Sequence, residues 1–459
     1  CYSIELFFIF TFTQPDLKKK KKTYFWLLIF RTAIKQSSMS IADFPPISQQ
    51  LTVNEAKNMT LGPSISTITW MEGSPDNASR LLCARLRLIV NANPWLTGRL
   101  TKVGKGKLFL TYRVVDYSDE DMLSSGLFNP HPTAGSLPDL SSSMDYVTLC
   151  KTVAKTSAEI KPGSACINKN QPLTALSVFP DSVNPNKFAV MFSLSHVVVD
   201  GFNYYQLLGM LNTDSPILTL SPVRKHQIID QAEIAMGPEA YAYAMSGATI
   251  CNVVCGMMCG KKAIIKSYEV DDRKVDEEKG KFGAKAKGGY ISTNDVISSS
   301  FANAVSARVF WMPLNYRNRL PDFTDADAGN YEGVITMGPG DYDSPDLIRN
   351  SLNSGPPTFK RETSNPLPST MEAMRCRIAM LTNWTFPFFE ELSVVGCTQI
   401  LHLPHSDVSM VPFDVGVVYR PKKGKLAVTY FVRSIDESGL VKECPLGAEV
   451  KSADQYEGK

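Results

Sequence analysis

The chain has 459 residues, 44% apolar and 20% charged, a balance that fits a globular protein and excludes an extended or disordered one. Its formal charge of +3 is carried by the first 38 residues, which hold seven basic and two acidic side chains; the remainder stands at −2 and gives no support for nucleic-acid binding. Most of the ten cysteines follow no pairing pattern, and free thiols suit a reducing, cytoplasmic setting.

Residues 1–38 precede the first methionine, Met39, and include the run Lys18 to Lys22. Their apolar segment, Tyr24 to Phe30, is far shorter than the roughly 20 residues a bilayer span needs. This leader is expected to be a translated upstream region or a degenerate targeting segment, outside the fold. No later stretch is long enough to span a membrane.

From Met39 the pattern is mixed α/β. Asn77 to Ile89 places Leu81, Leu82, Leu86 and Ile89 at helical spacing and stops before Asn93-Pro94. Lys107 to Val115, Thr174 to Phe179 and Phe188 to Leu194 read as strands, and Phe202 to Leu211 as a helix after an Asp-Gly turn. A less ordered middle runs from Thr213 to Glu269. In it Cys251, Cys255 and Cys259 share one helical face. A tetrahedral zinc site would need a fourth ligand that nothing nearby supplies, so they read as small buried thiols, and no metal site is expected. Asp271 to Gly289 is charged and Gly-rich and reads as a loop or linker.

The second half restarts the pattern. Thr293-Asn294-Asp295 opens a helix carrying Val296, Ile297, Phe301 and Val305. Arg308 to Leu314 reads as a strand and Met371 to Leu381 as a helix. Val394 to Leu403, Phe413 to Tyr419 and Leu426 to Val432 read as strands. The expected fold is α/β (α+β): two subdomains, each a mixed sheet flanked by helices. Their expected bounds are 39–225 and 290–459, joined by a crossover over 226–289.

The segment richest in chemistry is Phe188 to Leu194 running into Ser195-His196-Val197-Val198-Val199-Asp200-Gly201. With five histidines in the chain, His-x-x-x-Asp arises by chance about 0.3 times, and a following Gly lowers that to about 0.02. A histidine delivered to a strand end is a candidate general base for an alcohol or amine attacking a carbonyl. A thioester carbonyl is reactive enough to need no covalent enzyme intermediate. No Gly-x-Ser-x-Gly elbow or recognisable catalytic Cys occurs, so direct transfer is the economical scheme. Asp200 has two readings. It could orient the imidazole, as in a triad, or turn away and pair with an arginine that fixes the turn. Gly201 favours the second by letting the next helix pack closely.

Ser195 to Gly201 resembles the signature of the HxxxD acyltransferase superfamily. That group includes chloramphenicol acetyltransferase, plant-type BAHD acyltransferases, peptide-synthetase condensation domains and wax-ester-synthase-type enzymes. Further resemblances occur in the family's order over residues 40–435. They are Asn93-Pro94-Trp95-Leu96-Thr97-Gly98-Arg99-Leu100, Ser292-Thr293-Asn294-Asp295-Val296, and Asn315-Tyr316-Arg317-Asn318-Arg319 followed by Gly329-Asn330-Tyr331. The resemblance implies a chloramphenicol-acetyltransferase-like fold with an active-site tunnel between the halves. His196 would be the base and Asp200 structural, paired with Arg317 and supported by Gly201. Thr382-Asn383-Trp384 resembles a segment whose Thr and Trp help hold the oxyanion, so Thr382 and Trp384 join the implied site. One departure stands out. The plant-type Asp-Phe-Gly-Trp-Gly motif is missing, and Glu391 to Gly396 occupies its place. That points to a branch nearer the condensation or wax-ester types.

The implied donor is an acyl-coenzyme A, a cosubstrate rather than a permanently bound cofactor. Lys281, Lys285 and Lys287, just before Ser292 and Thr293, are the implied partners of its phosphates. The expected activity is transfer to a hydroxyl or amine on a small or lipid-like acceptor, by a monomer. Two alternatives remain: a condensation-like domain fed by a carrier protein, and a catalytically inactive relative that binds a ligand.

Overall fold

In the computed structural model the described residues are 41–56, 60–104, 106–130, 140–259, 262–352, 359, 361, 365–385, 390–405 and 412–457. Residues 1–43 form a unit of their own, of which a single 3-10 turn, Ile41–Asp43, is described. Residues 44–459 form the second unit, which holds all the described strands.

Fifteen strands are described: β1 Ile47–Gln50, β2 Ile65–Glu72, β3 Arg99–Val103, β4 Lys107–Tyr112, β5 Phe128–Pro130, β6 Thr174–Pro180, β7 Lys187–Leu194, β8 Ile264–Val270, β9 Val309–Asn315, β10 Glu332–Met337, β11 Ile378–Asn383, β12 Thr398–His405, β13 Asp414–Tyr419, β14 Ala427–Val432 and β15 Leu446–Glu449. They form a five-stranded sheet ordered β12-β2-β7-β6-β5 and a seven-stranded sheet ordered β10-β9-β11-β13-β14-β8-β15. A small sheet, β1-β4-β3, completes the set. Both large sheets are mixed: β5 runs parallel to β6, and β11 parallel to β9 and β13, while the other pairs are antiparallel.

The sequence explains the central strand of the first sheet. β7 is buried along its whole length because β2 and β6 flank it and both faces are covered. One cover is the helix Pro75–Ala92. Ser74 caps its N-terminus, Pro75 occupies its first turn, and Leu82, Leu86, Ile89 and Val90 face the core. On the second sheet, the helix Thr293–Ala304 buries Val296, Ile297 and Phe301. Its cap is reciprocal: Asp295 N–H donates to Ser292 Oγ while Ser292 N–H donates to Asp295 Oδ2.

Several expectations are corrected. Asp271 to Gly289 is not a loop: Asp272–Phe282 is a helix, capped by Asp271, followed by two 3-10 turns. Its charges lie on a solvated surface with Val275 as its buried residue, so periodicity was faint. Within the 226–289 crossover, β8 is an interior strand between β14 and β15. Met371 to Leu381 is not one helix: Thr370–Ala373 is a short helical turn and the rest enters β11, claimed by pairing with β9 and β13. The strand expected from Val394 begins at Thr398, and it joins β2 of the first sheet rather than the second. Cys251 and Cys255 are exposed rather than buried, with Sγ atoms 4.0 Å apart; the Cys259 side chain lies outside the described residues. Among the described residues no helix is long and apolar enough to cross a membrane.

Candidate active site

β7 ends at Leu194, and the chain turns through His196 to Val199 before Asp200 caps the helix Gly201–Gly209. Asp200 Oδ1 accepts from Asn203 N–H at 3.0 Å, the N-cap interaction that starts this helix. Oδ2 accepts from Arg317 Nη1 at 2.6 Å and from Tyr331 N–H at 3.0 Å. The carboxylate thus turns away from the imidazole, the second of its two sequence readings. Arg317 also donates to Asn315 Oδ1, Asn203 Oδ1 and the carbonyls of Asp327 and Gly329. Its guanidinium lies between the rings of Phe202 and Tyr331, at 4.8 and 5.2 Å. Both members of the pair are buried, the regime in which a charge must be paired and fully hydrogen-bonded.

The imidazole itself is held by Asn330. Asn330 Nδ2 donates to the carbonyls of His196 and Val197, at 2.7 and 3.2 Å, which fixes the amide's orientation. Its Oδ1 therefore faces His196 Nδ1, 2.9 Å away, and can only accept. The neutral ring must carry its proton on Nδ1, leaving the Nε2 lone pair free. His196 is half-buried and Nε2 looks toward the half-buried Glu332, whose Oε1 lies 3.7 Å away. Desolvation pushes the Glu332 carboxyl up to about 6, against the pull of His196.

A second buried ion pair braces the same turn. Arg224 Nε meets Glu55 Oε1 at 2.8 Å with both side chains fully buried. Arg224 donates to the carbonyls of Val198 and Ala328, and Glu55 Oε1 accepts from Asn330 N–H. Sequence reasoning missed Glu55, Arg224, Asn330 and Glu332 as site residues. Gly329-Asn330-Tyr331 carried a signal through its place after Arg317, whereas Glu55 and Arg224 are isolated charges that only the fold brings together.

The structure brings His196, Asp200, Gly201 and Arg317 into one cluster. Trp384 approaches it through Tyr205 on the Gly201–Gly209 helix, the two rings 6.3 Å apart and edge-on. Thr382 lies half-buried on β11, and neighbouring Asn383 donates to Asn294 Oδ1, joining the strand end to the helix that Thr293 begins. Lys281 and Lys285 flank the Phe282 ring, and Lys281 also pairs with Glu278 on its own helix. The Lys287 N–H docks on Asn350, while the Ser292 hydroxyl accepts a helix-cap hydrogen bond.

No family model matches the chain, and no curated protein matches it. Solved structures do, and they share its arrangement of mixed sheets with flanking helices. TRI101 from F. sporotrichioides, crystallised with coenzyme A and T-2, is 12% identical, with 86% of this chain and 98% of that one covered and a TM-score of 0.55. Vinorine synthase is 12% identical over 87% of this chain and 94% of that one, with a TM-score of 0.54. The first condensation domain of the calcium-dependent antibiotic synthetase, in complex with a substrate analogue, is 13% identical over 89% and 98%, at 0.50. At these identities the likeness is one of fold.

Proposed function

We propose that this protein is an acyltransferase that moves an acyl group from acyl-coenzyme A to a hydroxyl or amine by direct attack. The observation that carries this reading is the pinned tautomer of His196: Nδ1 is committed to Asn330 and Nε2 is left as an acceptor at the end of a rigid strand. Nε2 takes the proton of the acceptor group as it attacks the thioester carbonyl. The tetrahedral intermediate collapses, the C–S bond breaks, and the departing thiolate recovers the proton from the imidazolium. Asp200 and Arg317 act as positioning residues, bracing the turn that presents His196, and Gly201 lets the next helix follow at once. Thr382 and Trp384 are assigned to the oxyanion. Lys281, Lys285 and Lys287, with Ser292 and Thr293, are assigned to the phosphates of the donor. The coenzyme A bound in the TRI101 structure supports this choice of donor. The likeness to a condensation domain supports a second reading, in which the same attack uses an acyl group on a carrier protein.

Purified protein is expected to release free thiol from acyl-coenzyme A in the presence of an acceptor. His196→Ala should lower that rate by about 10²–10⁴-fold with the fold intact by circular dichroism. Turnover retained in this variant would remove the general-base assignment. Transfer from a carrier protein alone would select the second reading.

A further inference from the structure

Glu332 opens β10, at the edge of the seven-stranded sheet, and directs its carboxylate to the one imidazole nitrogen that the site leaves free. The other charges around His196 already balance. Asp200 is paired with Arg317 and Glu55 with Arg224, all four buried. Among the described residues no lysine or arginine pairs with Glu332. The imidazole is its ion-pair partner only when protonated, and Arg317, which acts on it by charge, is already paired with Asp200. In the neutral-imidazole form that attack requires, the half-buried carboxylate has no full counterion of its own, and a bound cation would supply one. It also gives the site two bases side by side, where attack by an alcohol needs one.

We infer that the acceptor is a primary amine, bound as its ammonium ion by the Glu332 carboxylate on the Nε2 side of His196. This deepens the acyl-transfer reading and rests on it. The proton count fits. An ammonium must lose one proton before it can attack, and this one passes to Glu332. The neutral amine then forms the N–C bond to the thioester carbonyl, and its second proton passes to His196 Nε2. The C–S bond breaks, the imidazolium protonates the thiolate, and Glu332 returns its proton to solvent. The products are an amide, a thiol and one proton. An alcohol, with one proton to lose and no charge, draws nothing from Glu332. Desolvation of the Glu332 carboxyl favours both tasks, since it strengthens the need for a cation and makes the group a better base.

The test compares hexylamine with hexanol. Calorimetric titration of the full chain should show hexylammonium binding roughly 10–100-fold tighter than the alcohol, the range of a charge-assisted hydrogen bond, and Glu332→Gln should erase the difference. Equal binding of the two by the wild-type protein, or binding of neither, overturns the ammonium subsite. In thiol-release assays with acetyl- and octanoyl-coenzyme A, Glu332→Gln should lower kcat/KM for the amine by about tenfold more than for the alcohol, whatever loss the two share through His196. An equal loss for both acceptors also overturns it. Tight, Glu332-dependent amine binding with no thiol release would leave the subsite standing and remove the acyl-transfer reading instead.

Discussion

The two oxygens of Asp200 go to Asn203, Tyr331 and Arg317, so the carboxylate four residues from His196 serves it through the backbone. Asp200→Ala leaves the buried Arg317 guanidinium without its counterion, a change expected to cost about 3–5 kcal/mol, measurable by urea denaturation. The tautomer belongs instead to Asn330. Asn330→Leu removes both the acceptor at Nδ1 and the donors to the turn, so nitrogen NMR should show His196 shifting from the Nδ1–H tautomer to a mixture. An unchanged tautomer would assign its control to another group. Glu332 has its own signature. Its carboxylate charge is present above about 6 and lost as pH falls through that value, while an alkylamine stays protonated throughout. Hexylammonium affinity should therefore weaken roughly tenfold on acidification while hexanol affinity holds, read by titration at a series of pH values.

β12 joins distant parts of the chain, and its two histidines titrate in opposite directions. Burial pushes His402, bonded to Thr69 and Tyr205, down to about 3 from 6.5. Burial also opposes charge on His405, but Cys150 and Glu159 outweigh it and hold the group up to about 10. The signs follow from linkage. The His402 contribution to stability is present above 6.5 and declines as pH falls toward about 3. The His405 contribution is full below 6.5 and is lost as pH rises to about 10. Urea midpoints across this range should fall on both sides, and His405→Gln should remove the alkaline decline relative to wild type. Much at this scale was legible. β7, the Pro75–Ala92 helix and the helix start at Thr293 follow from local signals: a continuous apolar run, a period of 3.6, and capping-type residues ahead of apolar ones. The pairing of β12 with β2 was not, because register between remote strands leaves no local trace. β11 was misread because its partners, rather than its own periodicity, decide its state. The Asp200–Arg317 contact was legible through family resemblance, whereas Glu55, Arg224 and Glu332 gain meaning only from the site they meet in.

At the scale of the molecule, sequence order and sheet membership part at β8 and β12. The first sheet takes its edge from residues 398–405, and its core takes Leu392 and Val394. A fragment ending at residue 225 would leave the edge of β2 unpaired and part of that core open. It should fail to give a monomer with a cooperative melt, whereas the full chain should unfold without a separate transition for either sheet; size-exclusion chromatography and calorimetry read both. The same closure has a consequence during synthesis. Thr69 and His402, which hydrogen-bond across β2 and β12, are 333 residues apart. At about 5–20 residues per second, a ribosome needs roughly 17–70 s to make that span. For that time the nascent chain carries an open β-edge next to a finished apolar strand, the state in which a chaperone has most to shield.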